Sequence, residues 1–70
     1  MRYRDIAKRL KELGCEELRL GKGSHRIWLN PENQKIATIP DWQRKDLAPG
    51  TVRAIIRELG ISREEFGPIK

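Results

Sequence analysis

Arg26-Ile27-Trp28-Leu29-Asn30-Pro31-Glu32-Asn33-Gln34-Lys35-Ile36-Ala37-Thr38-Ile39-Pro40 is the stretch on which the fold turns. Ile27 to Leu29 is apolar, β-branched and aromatic, and Arg26 to Leu29 reads as a strand. Asn30-Pro31-Glu32-Asn33 stops it with strong turn chemistry. Gln34 to Ile39 is the next strand, ended by Pro40. Upstream, Cys15 to Leu20 alternates Leu18 and Leu20 with Glu17 and Arg19. This is a first strand of low β propensity, because it carries Glu and Cys. Gly21-Lys22-Gly23 joins it to Arg26–Leu29. Three short strands linked by tight turns predict an antiparallel meander.

Helical patterns flank the meander. Tyr3, Ile6, Leu10 and Leu13 recur at helical spacing with Ala7 beside them, and Arg4, Lys8, Arg9, Lys11 and Glu12 fill the other side. This is an amphipathic helix, with Gly14 as its stop. Its basic outer face is most simply a solvated one. Pro49 suits the first position of a second helix, where its missing N–H costs nothing. Leu47 and Val52 then occupy hydrophobic-staple positions. Val52, Ile55, Ile56 and Leu59 make the apolar stripe. Gly60 and Ile61 are placed for a Schellman closure onto Ile56. Ser62 and Glu65 are spaced as a capping box for a last turn to Phe66, and Gly67-Pro68 ends it.

The order α-β-β-β-α, plus a terminal turn, has two apolar stripes to bury and one sheet to bury them on. An α+β two-layer sandwich follows, with a three-stranded antiparallel sheet and both helices on one face. That layering matches a double-stranded-RNA-binding-domain-like fold. Alternation puts His25, Ile27 and Leu29 on one sheet face and Ser24, Arg26 and Trp28 on the other. Both sets carry large apolar residues. Trp28 is the largest, so it is expected to face the helices, leaving His25 on the open face with Ile27 partly exposed.

Seventy residues make one domain, 1–70. A chain this small buries only about 60% of its extended surface. An open working surface is therefore favoured over a deep enclosed pocket. Lys and Arg number 15 against 10 Asp and Glu, with a pI near 9.9. The excess points to a polyanionic partner, nucleic acid or an acidic protein face. One cysteine, Cys15, excludes an internal disulfide and a multi-Cys metal site. No apolar run approaches the roughly 20 residues needed to cross a bilayer. Nor does Met1-Arg2-Tyr3-Arg4-Asp5 begin a signal peptide. A cytoplasmic location and no metal are the expectations.

The one histidine, His25, follows Gly21-Lys22-Gly23-Ser24 and precedes Arg26. Glycines let backbone approach a ligand closely, and successive N–H groups in such a turn can cradle an anion. An imidazole beside such a turn, flanked by Lys22 and Arg26, is what a phosphodiester reaction needs. The plainer reading is a surface histidine without chemistry. Ser24 has no oriented base beside it and reads as a turn-stabilising hydroxyl. Trp42 lies in a polar loop, where it either stacks on a base or packs on the second helix. Arg44 and Lys45 precede the electropositive start of that helix and are candidate phosphate contacts.

Lys22-Gly23-Ser24-His25-Arg26-Ile27-Trp28, Asn30-Pro31, Thr38-Ile39-Pro40 and Asp46-Leu47-Ala48-Pro49-Gly50-Thr51-Val52-Arg53-Ala54-Ile55 together resemble the HicA-type toxins of toxin–antitoxin pairs. The resemblance runs from the first helix to Phe66. It implies the α-β-β-β-α fold already read, and an mRNA interferase, an endoribonuclease that cleaves without a metal and uses the histidine of Gly-Ser-His, here His25. It also implies a HicB-type antitoxin that covers the active site, with no small-molecule cofactor and no membrane. Two positions depart from the family pattern. Cys15 stands where an aromatic residue is common, and Asp41-Trp42 where a basic residue or second histidine often lies. A mechanism needing a second imidazole is thereby excluded.

RNA carries its own nucleophile, the 2′-hydroxyl. Imidazole is the side chain whose ordinary titration lies nearest neutrality. The expected reaction has His25 as base, with Lys22 and the Gly23 and Ser24 N–H groups on the phosphate. Its products are a 2′,3′-cyclic phosphate and a 5′-hydroxyl. The expected RNA-binding set is Lys22, Gly23, Ser24, Arg26, Trp42, Arg44 and Lys45. The competing expectations are a non-catalytic RNA-binding module and a protein-interaction domain with a basic face.

Overall fold

The computed structural model describes residues 1–18 and 23–69. Its elements are α1 (Tyr3–Glu12), β1 (Glu16–Leu18), β2 (His25–Asn30), β3 (Lys35–Pro40), α2 (Pro49–Glu58) and α3 (Arg63–Phe66). The sheet is open and antiparallel, in the order β1-β2-β3. This is the α+β architecture expected, consistent with a double-stranded-RNA-binding-domain-like fold. The expected first strand extends to Leu20 and the first hairpin turn includes Gly21 and Lys22. Those positions lie outside the described residues.

The helix ends follow from local chemistry. At the end of α1, Gly14 takes φ +90°, the Cys15 N–H bonds the Leu10 carbonyl and the Gly14 N–H bonds that of Lys11. At the end of α2, Gly60 takes φ +70°, with Ile61 N–H on Ile56 O and Gly60 N–H on Arg57 O. Both are Schellman closures, in which glycine alone adopts the left-handed turn without strain. Ser62 Oγ accepts the Glu65 N–H, while the Glu65 carboxylate accepts the Ser62 N–H. That reciprocal pair starts α3.

The sheet resolves its two apolar faces in favour of Trp28. Trp28 is fully buried, opposite Glu17 in β1 and Ala37 in β3. With Ala37 and Ile39 it meets Ile6 and Leu10 of α1 and Val52, Ile55 and Ile56 of α2 in one core. Ile27 and Leu29 are only half-covered on the far face, and Ile36 beside Leu29 is 57% exposed. Leu47 and Val52 are both buried, as a staple requires. Cys15 is a buried core residue, and burial pushes its thiol pKa up.

Two details depart from the plain pattern. Pro40 continues β3 rather than ending the chain's pairing before it, and it faces His25. An outer strand tolerates proline at its last position because the missing N–H can face away from the ladder. Arg9 does not sit on a solvated face. Its guanidinium lies 5.2 Å from the centroid of the Phe66 ring and donates to the Phe66 and Pro68 carbonyls, tying α1 to α3.

Candidate active site

His25 opens β2 and is exposed, on the sheet face that carries no helix. Gly23, two residues before it, takes φ +61°, a turn that any side chain would strain. A Cβ there would meet no atom within 4 Å, so backbone conformation rather than crowding calls for glycine. Ser24 is exposed, and its carbonyl accepts the backbone N–H of Asp41. That bond joins the start of β2 to the loop leaving β3. Lys22, expected to reach the phosphate, lies outside the described residues.

Arg26 points to the other face. Its guanidinium contacts the Glu17 carboxylate at 3.3 Å and that of Asp41 at 3.4 Å. Glu17 also accepts the Tyr3 hydroxyl at 3.3 Å, and that hydroxyl accepts the Trp28 indole N–H at 3.0 Å. A chain of polar contacts thus runs from the buried core, Trp28 to Tyr3 to Glu17 to Arg26 to Asp41, and ends one residue from the partner of His25. Burial pushes the Tyr3 phenol above its ordinary pKa, the Trp28 N–H opposing and Glu17 adding to the rise. The phenol therefore stays protonated and keeps its donor on Glu17.

The loop after β3 is held open by the same aspartate. The Gln43 N–H donates to Asp41 Oδ1 at 3.2 Å, and Gln43 adopts φ +53°. The Lys45 N–H returns to the Trp42 carbonyl at 3.1 Å. Trp42 is 47% exposed, with the Lys45 ammonium 5.7 Å from its ring centroid. Trp42 is not among the residues of the buried core. Arg44 lines an open cleft of about 370 Å³ with Arg2 and Arg4.

The structure therefore brings Gly23, Ser24, His25, Asp41 and the Trp42–Lys45 loop to one end of the sheet. It does not bring Arg26 to the His25 face. Residue types alone missed Tyr3, Glu17 and Asp41 as the scaffold of this end, and Arg2 and Arg4 as neighbours of Arg44. Tyr3 read as a stripe residue, and only its hydroxyl, on an apolar stripe, hinted at a polar partner. Among the described residues, no three His, Cys, Asp or Glu side chains converge as metal ligands would. Nor is any helix among them long and apolar enough to cross a membrane.

A family model described as "HicA toxin of bacterial toxin-antitoxin" matches residues 3–61. No curated protein and no solved structure matches the chain significantly.

Proposed function

Because the chain belongs to the HicA toxin family, whose members are mRNA-cleaving toxins of toxin–antitoxin systems, we propose that it is a metal-independent mRNA endoribonuclease with His25 as its one catalytic imidazole. The observation that carries this reading is the setting of His25. The chain's only histidine stands exposed at a strand end, directly after a glycine turn and beside an aromatic, cationic loop.

His25 removes the proton from the RNA 2′-hydroxyl, and the freed oxygen attacks the adjacent phosphorus. The bond from phosphorus to the 5′-oxygen breaks. The proton reaches that leaving oxygen from His25 itself, from Lys22 or from water. A 2′,3′-cyclic phosphate and a 5′-hydroxyl result, with atoms and charge in balance. The Gly23 and Ser24 N–H groups and Lys22 stabilise charge on the phosphorane. Trp42 stacks on a base, while Arg44 and Lys45 meet phosphates. Arg26 acts on the RNA mainly through Asp41, whose loop it holds in place. A HicB-type antitoxin covers this end of the sheet and silences it, and the toxin works in the cytoplasm, where mRNA is.

The test is induced expression of wild type beside His25→Ala in a bacterial host, with total RNA followed on a gel. Growth arrest and mRNA loss with wild type alone are expected. Equal harm from both proteins would remove His25 from the mechanism. No harm from either, with soluble folded protein, would favour a non-catalytic RNA-binding module. Cleaved RNA bearing 3′-hydroxyl ends would exclude attack by the 2′-oxygen.

A further inference from the structure

We propose that the cleft lined by Arg2, Arg4 and Arg44 is a second phosphate-binding subsite, which grips the RNA backbone away from the cleaved bond. It rests on RNA being the ligand, and extends that reading to residues of α1. Arg2, Tyr3, Arg4, Asp41, Gln43 and Arg44 line this cleft of about 370 Å³. The guanidiniums of Arg2, Arg4 and Arg44 make no ion pair among the described residues. Asp41 is the cleft's one acidic residue, and Arg26 already neutralises it at 3.4 Å. Three arginines that line one opening with no ion pair among the described residues call for an anion, and the flat fork of a guanidinium suits phosphate oxygens.

Two local choices that work against stability converge here. Arg2 is the N-cap of α1 and its side chain makes no capping bond, while Arg4 sits in the first turn. The positive end of the helix dipole disfavours cations there. Asp5 answers only part of this, its carboxylate accepting the Arg2 backbone N–H at 3.0 Å. Across the cleft, Arg44 follows Gln43, which is held at φ +53°, a backbone conformation unfavourable to a long side chain. Strain that persists because neighbours hold it, here Asp41, is found where a site needs a particular geometry.

The cleft is also contiguous with the proposed reaction centre. Asp41 lines it, the Asp41 N–H holds the Ser24 carbonyl, and Pro40 faces His25 across the sheet. On the proposed path an RNA strand leaves His25, rounds the end of the sheet along the segment from Asp41 to Arg44, and reaches Arg44, Arg4 and Arg2 on the side where α1 packs.

The experiment uses His25→Ala protein, which removes the proposed cleavage, and a fluorescein-labelled single-stranded RNA titrated at several salt concentrations. Each phosphate contact on a single strand contributes about 0.7 to the slope of log affinity against log salt, or about fivefold in affinity at 0.1 M salt. Replacing Arg2, Arg4 and Arg44 by Ala together is expected to lower the slope by about 1.4–2.1, for two or three contacts, and affinity at 0.1 M salt by about 25- to 125-fold. Arg63→Ala, an exposed charge on α3, is the control and leaves both unchanged. Thermal melting shows that the triple variant is folded. A slope within 0.3 of the parent's (roughly half of one contact) overturns the subsite, even if His25 proves catalytic. So does a parent that binds no RNA at low salt, or a triple variant that loses only an acidic protein partner. Loss of slope in the triple variant, with cleavage unaffected by His25→Ala, upholds the subsite and sinks the catalytic reading alone.

Discussion

Asn30 is where the structure yields its sharpest stability prediction. It is 7% exposed, the one buried polar residue of the described chain. Its Nδ2 donates to the Leu59 carbonyl at 2.8 Å, while its Oδ1 accepts the Glu32 N–H at 3.2 Å. Leu59 is the C-cap of α2, so its carbonyl has no partner within the helix. Asn33 supplies a second donor to the same oxygen at 3.0 Å. The Asn30–Asn33 turn is thus a clamp on the end of α2 as well as a link between β2 and β3.

Asn30→Asp keeps the shape and the acceptor for Glu32 but turns the donor into an oxygen facing an oxygen. About 1 kcal/mol goes with the lost hydrogen bond, and the poorly solvated carboxylate adds the rest, for about 2–4 kcal/mol in all. A domain of this length has roughly 3.5–10 kcal/mol in total. The melting temperature should fall by about 10–30 °C at pH 7. The new carboxyl is held neutral in the fold, so its folded pKa rises above the unfolded value near 3.9. Its ionised form penalises folding at neutral pH, and the penalty fades as pH falls through the raised value toward about 4. Asn30→Ala, which leaves Leu59 bonded to Asn33, should cost about 1–2 kcal/mol with no such pH dependence. Urea unfolding followed by the fluorescence of the fully buried Trp28, from pH 4 to 8, reads both. If the two variants are equally stable at pH 7 and their difference is flat with pH, the Asn30 amide does not clamp Leu59.

Arg26→Met removes two part-exposed ion pairs, each worth about 0.2–1 kcal/mol, so melting should drop by about 2–15 °C. Freeing the Asp41 loop should lower RNA cleavage by about 10- to 100-fold, and unchanged kcat/KM would refute the positioning role. Gly60→Ala should destabilise by about 1–3 kcal/mol: its φ is +70° and the new methyl would collide with the Asn33 amide. Gly50→Ala, in the first turn of α2 with open space around it, should instead stabilise by about 0.5–1 kcal/mol. Thermal melts of the pair decide both signs.

What could be read before folding was whatever depends on neighbours in sequence. Val52, Ile55, Ile56 and Leu59 repeat at helical spacing, and Gly60 follows where the turn must go left-handed. Ser62 and Glu65 are three apart, as reciprocal caps must be. The burial of Trp28 was decided by size, since alternation alone left Ile27 and Leu29 as rivals, and the half-covered state of those two shows how close that contest was. The polar chain at the His25 end was not readable. Arg26 meets Glu17 through the β1–β2 register and Asp41 through the β2–β3 register. Each register depends on turns whose lengths set it, and Tyr3 joins only after α1 has docked. Asn30 likewise showed its turn chemistry but not its hold on Leu59, 29 residues away.

These features share one strand, and its length separates what they do. His25 and Asn30 are the two ends of β2, five residue steps or about 17 Å apart. One end is exposed and carries the proposed catalytic histidine. The other is buried and fastens α2. Trp28 lies between them, anchored in the core and joined through Tyr3 and Glu17 to Arg26 at the His25 end. A seventy-residue chain has little stability to lose, and polar groups placed for chemistry are not placed for packing. Putting the two at opposite ends of one rigid strand lets each be satisfied separately. Damage at Asn30 should therefore reduce the amount of folded toxin while each folded molecule cleaves at its full rate, and damage at Arg26 should do the reverse.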